Sequence, residues 1–217
     1  MTEKNWAHIE MLRDIYEVSS ALGLKSYVWG GFAVDIMRGD LTHEHGDLDL
    51  FCEDLVDRLG ALRAAYEARG YVTNYLPEFW MLQIRKGGVH AGFNMVRNVD
   101  GIAHWHHIGI HGTVFFPYEW LDQAPVDFFG SPAYTIGLRL AYALKTCPRL
   151  LNPEWTPREK EEADRALLEE MLRARGIAKL DFMGHVWAHN PFWYARGYAE
   201  YELPVAPDSS KKSEKSC

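Results

Sequence analysis

The chain has 217 residues, enough for one large domain or two small ones. Hydrophobic residues make up 47% of it, with eight Trp, eleven Tyr and ten Phe, which excludes a disordered chain and allows a sizeable core. The net charge of −7 argues against a sequence-independent grip on nucleic acid, because such binding needs a basic surface.

The cysteines and the N-terminus bear on the compartment. Cys52, Cys147 and Cys217 show neither metal-ligand spacing nor a paired framework, so we expect a reducing environment. The N-terminus has no apolar signal core, and no stretch approaches the ~18 apolar residues that span a membrane. These features predict a cytoplasmic protein without a membrane partner.

The first 130 residues alternate between helical and strand patterns. Apolar residues with a period near 3.6 predict helices, and short apolar runs bounded by turn residues predict strands. The predicted helices cover 5–23, 32–37 and 54–69. The predicted strands cover 26–29, 48–52, 79–85, 89–96, 102–110 and 112–116, with a hairpin turn at Lys86-Gly87-Gly88.

Beyond a join at 125–132 the pattern becomes helical. We predict helices over 133–146, 157–175 and around 179–187. The second of these has Thr156 as its N-cap, Pro157 at its first position and Glu159 completing a capping box. The predicted organisation is a mixed α/β domain over 1–130, a helical domain over 131–206 and a polar, disordered tail over 207–217.

Two glycines and two carboxylates lie close together in the N-terminal part. Gly30 and Gly31 separate the strand at 26–29 from a helix, so backbone N–H groups can approach a phosphate there. Asp47 and Asp49 stand at i and i+2 of a strand and therefore share one face. Neighbouring carboxylates repel unless a cation lies between them, and Mg²⁺ prefers carboxylates together with phosphate oxygens. The combination predicts nucleotidyl or phosphoryl transfer.

The string Tyr27-Val-Trp-Gly-Gly-Phe-Ala-Val-Asp35, followed by His45-Gly-Asp-Leu-Asp-Leu-Phe51, resembles the DNA polymerase β-like nucleotidyltransferase superfamily. Its Gly-Gly-aromatic-Ala-x-Asp pattern and the His two residues before the acid pair look like the aminoglycoside and lincosamide nucleotidyltransferases. The resemblance implies an α+β fold, in which a polymerase β-like nucleotidyltransferase domain with a small mixed sheet precedes a C-terminal helical bundle. Asp35 matches an Asp of that family and is interpreted as structural.

The resemblance also implies a third carboxylate on a later strand, which completes the metal site or removes the proton from the attacking hydroxyl. The expected strand over 89–96 contains no acid. His90 falls at the position of the acid, and Asn94 is the next polar candidate. Three interpretations stay open: His90 is the general base, Asp100 or a more distant acid fills the site, or the chain binds nucleotide and catalyses poorly or not at all.

The same resemblance implies a phosphate site. Lys145, near the end of a predicted helix, would reach the nucleotide phosphates, since a flexible ammonium suits a triphosphate. Gly30, Gly31 and His45 would complete the nucleotide-binding set. An Arg-x-Lys-Asp-like element opens the next helix of the family, and here Glu161 stands in the place of its Asp.

The implied activity is transfer of NMP, with AMP expected, from a nucleoside triphosphate to a hydroxyl of a small-molecule acceptor such as an aminoglycoside or lincosamide antibiotic. Mg²⁺ held by Asp47 and Asp49 would be the cofactor, and ATP the expected co-substrate. Two alternatives stay open: a catalytically degenerate nucleotidyltransferase-fold binding or regulatory protein, and a nucleotidyltransferase directed at RNA or protein. The acidic charge disfavours nucleic acid as a partner, and the acceptor and the oligomeric state are left open.

Overall fold

The computed structural model describes residues 2–107, 112–121, 124–146, 156, 158–179 and 185–189. Within these ranges the helices are α1 (Glu3–Ala21), α2 (Gly30–Arg38), α3 (Leu59–Ala68), α4 (Leu138–Thr146) and α5 (Glu159–Ala174). The strands are β1 (Ser26–Trp29), β2 (Leu48–Cys52), β3 (Val72–Leu76), β4 (Met81–Lys86), β5 (Val89–Val99), β6 (Ile102–His107), β7 (Gly112–Pro117), β8 (Val126–Phe128), β9 (Ser131–Thr135) and β10 (Trp187–His189).

The strands form one mixed sheet in the order β10-β7-β6-β5-β2-β1-β9-β8, and the hairpin of β3 and β4 joins it through β5. β2 and β5 run parallel, as do β1 and β9, and the other described pairs are antiparallel. The first half of β5 pairs with β2 and β4, and its second half pairs with β6. The acid-bearing strand β2 therefore lies in the middle of the sheet, between β1 and β5.

Alternation along β2 separates its apolar and acidic residues. Leu48 and Leu50 are fully buried on one face, whereas Asp49 and Phe51 point to the other. Phe51 stacks on Trp29 of β1 with ring centroids 5.3 Å apart. The apolar layer on this face therefore reaches up to Asp49.

Helix α2 connects the sheet to the C-terminal helices. It follows β1 without a loop and packs against β1 and β2. Helices α4 and α5 pack against each other and against α2. The start of α2 therefore lies where the sheet and the described C-terminal helices meet.

The strands predicted over 26–29 and 48–52 and the hairpin turn are confirmed. Gly87 and Gly88 form that turn with φ values of +57° and +81°. The helix predicted over 54–69 is too long at its start, because α3 begins at Leu59 after a turn. The sequence does not predict strand β3, since none of its residues is buried and its apolar residues show no clear alternation.

The helix predicted over 133–146 is wrong in its first part. Residues 131–135 form β9, which pairs with β1 in parallel, and α4 begins only at Leu138. Thr135 Oγ1 donates to the backbone oxygen of Val28 at 3.2 Å, and Ile136 N donates to the same oxygen at 3.0 Å. The sheet thus continues past residue 130, and the division into domains stays a prediction.

The helix predicted over 157–175 begins at Glu159 in the structure. Its N-cap is Arg158 rather than Thr156, and the capping box pairs Arg158 with Glu161. The carboxylate of Glu161 accepts from the backbone N–H of Arg158 at 3.0 Å, whereas the guanidinium of Arg158 has no acceptor atom for the N–H groups of the first turn. Most of the stretch predicted around 179–187 and the tail over 207–217 lie outside the described residues.

Of the three cysteines, Cys52 lies within the described ranges, where it is buried and unpaired, and burial raises the pKa of its thiol to about 12. Cys147 and Cys217 lie outside those ranges. None of the helices described combines the length and the apolar character that crossing a bilayer requires.

Candidate active site

The turn between β1 and α2 brings backbone N–H groups to the edge of β2. Trp29 precedes the helix in an extended conformation, and its side chain does not cap the helix. Gly30 has a φ of +74°, and a Cβ at this position would lie 3.1 Å from Oδ2 of Asp49. Because the first N–H groups of a helix have no intrahelical acceptor, this turn suits an anion such as phosphate.

Asp47 and Asp49 lie at the start of β2, beside the glycine turn. The side chain of Asp47 is 54% exposed, whereas Asp49 is half-buried and pairs with Trp29 across the β1–β2 ladder. Burial, followed by the negative charge of Asp47, raises the pKa of Asp49 to about 7, and the charge of Lys145 opposes this shift. The pair thus carries negative charge that a divalent cation would offset, and its oxygens are ligands that Mg²⁺ prefers.

Strand β5 places His90 beside the acid pair. The parallel register sets Gly92 opposite Asp49, and His90 Nε2 lies 3.7 Å from Asp47 Oδ2. β5 is described over its whole length and contains no acid. The position next to Asp49 is therefore occupied by a residue without a side chain.

The other two candidates for the third polar group lie elsewhere. Asn94 is buried, and its amide donates to the backbone oxygen of Leu50 at 3.4 Å, which is a structural contact. Asp100, with a φ of +52°, turns the chain from β5 into β6. At the ~3.3 Å rise of a strand residue it lies roughly 26 Å from Gly92 along β5. Of these candidates, only His90 reaches the acid pair.

Asp35 ties the loop before β2 to helix α2. Its carboxylate accepts hydrogen bonds from the backbone N–H and the hydroxyl of Thr42, at 3.0 and 2.7 Å, and lies 2.7 Å from His45 Nε2. Burial alone would raise the pKa of Asp35, but the hydrogen bonds from His45 and Thr42 hold it below its ordinary value. One potential metal-binding atom from each of Asp35, His43 and His45, a carboxylate oxygen or a ring nitrogen, lies within 4.8 Å of the other two. The buried His45 ring also lies against Gly31, where a Cβ would be 3.6 Å from Cε1.

The C-terminal helices contribute a buried ion pair to the same place. Lys145 Nζ, near the end of α4, lies 2.6 Å from Asp164 Oδ2 in α5, and their side chains are 17% and 5% exposed. A Cβ on Gly31 would lie 3.6 Å from the same Asp164 oxygen. Lys145 is therefore held next to the glycine turn, where its charge also acts on Asp49.

Asp164 is a candidate that the sequence motif misses. Glu161, which stands in the place of the Asp of the family element, instead pairs with Arg158 in the capping box of α5. The signal for Asp164 lies in its spacing, because it stands one turn before Leu168 and two turns before Leu172, both buried. An acid on the apolar stripe of a helix must meet a partner.

The architecture and the site together define the class of protein: a glycine turn at a helix N-terminus beside an acid pair, on a mixed sheet, is a nucleotidyltransferase fold. Solved structures of two antibiotic adenylyltransferases agree. The antibiotic-resistance factor ANT(2'')-Ia in solution has a TM-score of 0.56 and 16% identity, covering 78% of this chain and 86% of that one. The crystal structure of ANT(2'')-Ia with adenylyl-2''-tobramycin has a TM-score of 0.58 and 18% identity, and the match covers 78% of this chain and 92% of that one. The lincosamide adenylyltransferase LnuA, with lincomycin bound, has a TM-score of 0.55 and 16% identity, and the match covers 79% of this chain and 98% of that one. The predicted fold class is thereby confirmed.

A family comparison narrows the class. The model of the aminoglycoside-2''-adenylyltransferase family matches residues 11–111, which include the glycine turn, the acid pair and His90. The match and the structural neighbours confirm the predicted resemblance to the aminoglycoside and lincosamide nucleotidyltransferases. Lys145 and Asp164 lie beyond the matched range. A comparison with curated proteins finds no significant match.

Proposed function

We propose that the chain is a Mg²⁺-dependent nucleotidyltransferase that moves AMP from ATP to a hydroxyl of a small-molecule acceptor. The observation that carries the proposal is the approach of the glycine turn to the acid pair. Gly30 lies so close to Asp49 that a Cβ would be 3.1 Å from its carboxylate. A phosphate group bound at the turn would therefore meet the carboxylates that suit its counter-ion.

Each group of the site has a distinct role in the proposed reaction. The phosphates bind to the backbone N–H groups of the turn at Gly30 and Gly31 and to the ammonium of Lys145. The ring of His45 packs against Gly31 and so supports the turn. Asp47 and Asp49 would hold Mg²⁺, which when bound neutralises charge on the transferred group and on the leaving pyrophosphate. The acceptor hydroxyl attacks the α-phosphate in line, and pyrophosphate leaves on the opposite side.

His90 is the proposed acceptor of the hydroxyl proton. It is about half exposed, lies 3.7 Å from Asp47 and stands where the resemblance implies an acid. A base in this place can reach the hydroxyl of an acceptor bound over the acid pair. His90→Ala should therefore reduce transfer more strongly than it reduces ATP binding, as steady-state kinetics and calorimetry on the same variant would show.

A second candidate function has one specific observation behind it. The residue of β5 that pairs with Asp49 is Gly92, so no carboxylate faces Asp49 from this strand. A protein that binds Mg²⁺-ATP without turning it over would have such a site. It would act as a binding or regulatory module.

Pyrophosphate release separates the two functions. ATP and GTP would be offered with Mg²⁺ against aminoglycosides, lincosamides and short RNAs. Release with one acceptor establishes the transferase and its substrate class, and release with an RNA alone favours an RNA-directed enzyme. If no acceptor of the panel gives pyrophosphate release but nucleotide binding is measurable, the result favours the binding module. His90→Asp is then the next variant.

Asp47→Asn and Asp49→Asn should each abolish transfer, because each removes a carboxylate charge from the proposed metal site. Thermal unfolding of both variants should show an intact fold, and this control separates loss of chemistry from loss of structure. Retained activity in either variant would rule out the metal assignment.

We further propose a cytoplasmic location, which the unpaired Cys52 supports. The net charge of −7 suits a cationic acceptor such as an aminoglycoside. The acceptor panel above tests this preference directly, since a lincosamide used in preference to an aminoglycoside would contradict it.

A further inference from the structure

The carboxylate of Asp164 touches three parts of the structure at once. It belongs to α5, it binds Lys145 Nζ of α4 at 2.6 Å, and it lies against Gly31 at the start of α2. Its side chain is 5% exposed, so water does not compete strongly for the carboxylate. An ion pair that served only to join α4 to α5 would not need to lie on the glycine turn.

The chemistry of lysine explains what such a partner can do. A lysine side chain has several rotatable bonds, and ordering it on a ligand loses conformational entropy. The ammonium has three N–H donors and no acceptor, so one bond to a carboxylate leaves two donors for other oxygens. An ammonium already held in place therefore binds a triphosphate with less loss of entropy than a free one.

We propose that Asp164 is a positioning residue for nucleotide binding: it holds the Lys145 ammonium beside the turn at Gly30 and Gly31, with the remaining donors directed at the triphosphate. The inference rests on the proposed function, because it takes Lys145 as a phosphate ligand. It adds a role for a residue of α5 that neither the motif nor the family match covers. It also makes the pairing of α4 with α5 part of the binding site.

Calorimetric titration of Mg²⁺-ATP without an acceptor tests the inference, because it needs no turnover. The proteins are the wild type, Asp164→Asn, Lys145→Met, the double variant, and Glu162→Gln as the matched control. Glu162 is on the same helix and carries the same charge, but it is exposed. Its variant therefore reports any general effect of losing one negative charge from α5.

Asp164→Asn and Lys145→Met should each weaken ATP binding about tenfold, as expected for one charge-assisted hydrogen bond. The double variant should bind no more weakly than Lys145→Met, because Asp164 acts only through Lys145. Glu162→Gln should bind as the wild type does. In thermal unfolding the double variant should be more stable than Lys145→Met, since it no longer buries an unpaired carboxylate.

The outcomes distinguish this inference from the proposed function. Wild-type affinity in Asp164→Asn, beside weakened binding in Lys145→Met, overturns the positioning role and leaves the proposed function standing. A further loss in the double variant overturns it too, because Asp164 would then act independently of Lys145. Should Asp164→Asn fail to fold, the comparison of Lys145→Met with the double variant still decides. Absence of nucleotide binding in the wild type overturns the proposed function and this inference with it.

Discussion

Gly30 and Gly31 are neighbours in the chain, but the structure requires different things of them. Gly30 has a φ of +74°, and an added Cβ would lie 3.1 Å from the Asp49 carboxylate. Gly31 is the second residue of α2, and a Cβ there would meet Asp164 and His45 at 3.6 Å, an ordinary van der Waals distance. Backbone conformation and close approach therefore both demand glycine at the first position, and neither does at the second.

Gly30→Ala should reduce transfer by at least about tenfold, because the strained backbone and the new methyl group displace Asp49 from the turn. The backbone strain alone should lower the free energy of unfolding by about 1 kcal/mol. Gly31→Ala is the matched control and should lose much less activity. Pyrophosphate release and thermal unfolding measure both effects, and equal losses in the two variants would contradict the assigned difference.

Local patterns account for much of the site. Gly30, Asp47 and Asp49 could be predicted because a turn and a strand place them within one short segment. Asp164 could not be predicted in the same way, since its partner Lys145 lies on another helix and its position depends on how α5 packs against α2. Side chains brought together by tertiary packing leave only an indirect trace in the sequence.

At the scale of elements, helix α5 contains two acids with different contacts: Glu161 caps the helix, and Asp164 binds Lys145. Glu161 accepts from the backbone N–H of Arg158 at 3.0 Å and so closes the first turn. Asp164, less than one turn later, faces inward to Lys145. We therefore expect substitution of Glu161 to change the stability of the fold and substitution of Asp164 to change the affinity for ATP.

Glu161→Ala should lower the free energy of unfolding by about 1 kcal/mol through the lost capping box, without changing affinity for ATP. For a chain of this size that corresponds to a drop in Tm of roughly 2–4 °C. Thermal unfolding and calorimetry would be run beside Glu162→Ala, which alters an exposed acid of the same turn. A large loss of ATP affinity would instead place Glu161 in the binding site.

The strands differ in how well the sequence predicts them, for a physical reason. The sequence predicts the bounds of β1 and β2 correctly because each is a short, mostly apolar segment between turn residues. Residues 133–146 fit a helical pattern and so predict a helix where part of β9 lies, and only the parallel pairing of β9 with β1 selects the strand. Pairing with a distant segment can thus override local propensity.

At the scale of the whole molecule, His8 of α1 is an unusual member of the core. It is fully buried, and neither of its ring nitrogens has a hydrogen-bond partner among the described residues. Burial, followed by the nearby His45, lowers the pKa of His8 to about 4. The folded protein therefore holds this histidine neutral at a pH where the unfolded chain is protonated.

The protein should lose stability as the pH falls from about 6.5 to about 4. Between these pH values His8 is protonated in the unfolded chain and neutral in the folded state. The free energy of unfolding therefore falls by up to roughly 3 kcal/mol. His8→Leu should show a flatter profile in urea unfolding over the same range. Parallel profiles for the wild type and the variant would show that His8 is not responsible.

The parallel pairing of β1 with β9 has a consequence for synthesis on the ribosome. Thr135 and Val28, which this pairing joins, are 107 positions apart, so a nascent chain presents β1, α2 and β2 long before β9 has left the exit tunnel. Until then one edge of β1 is open, and an open strand edge can pair with another chain. An arrested nascent chain that ends before residue 131 would therefore carry the complete glycine turn and acid pair beside an aggregation-prone strand edge.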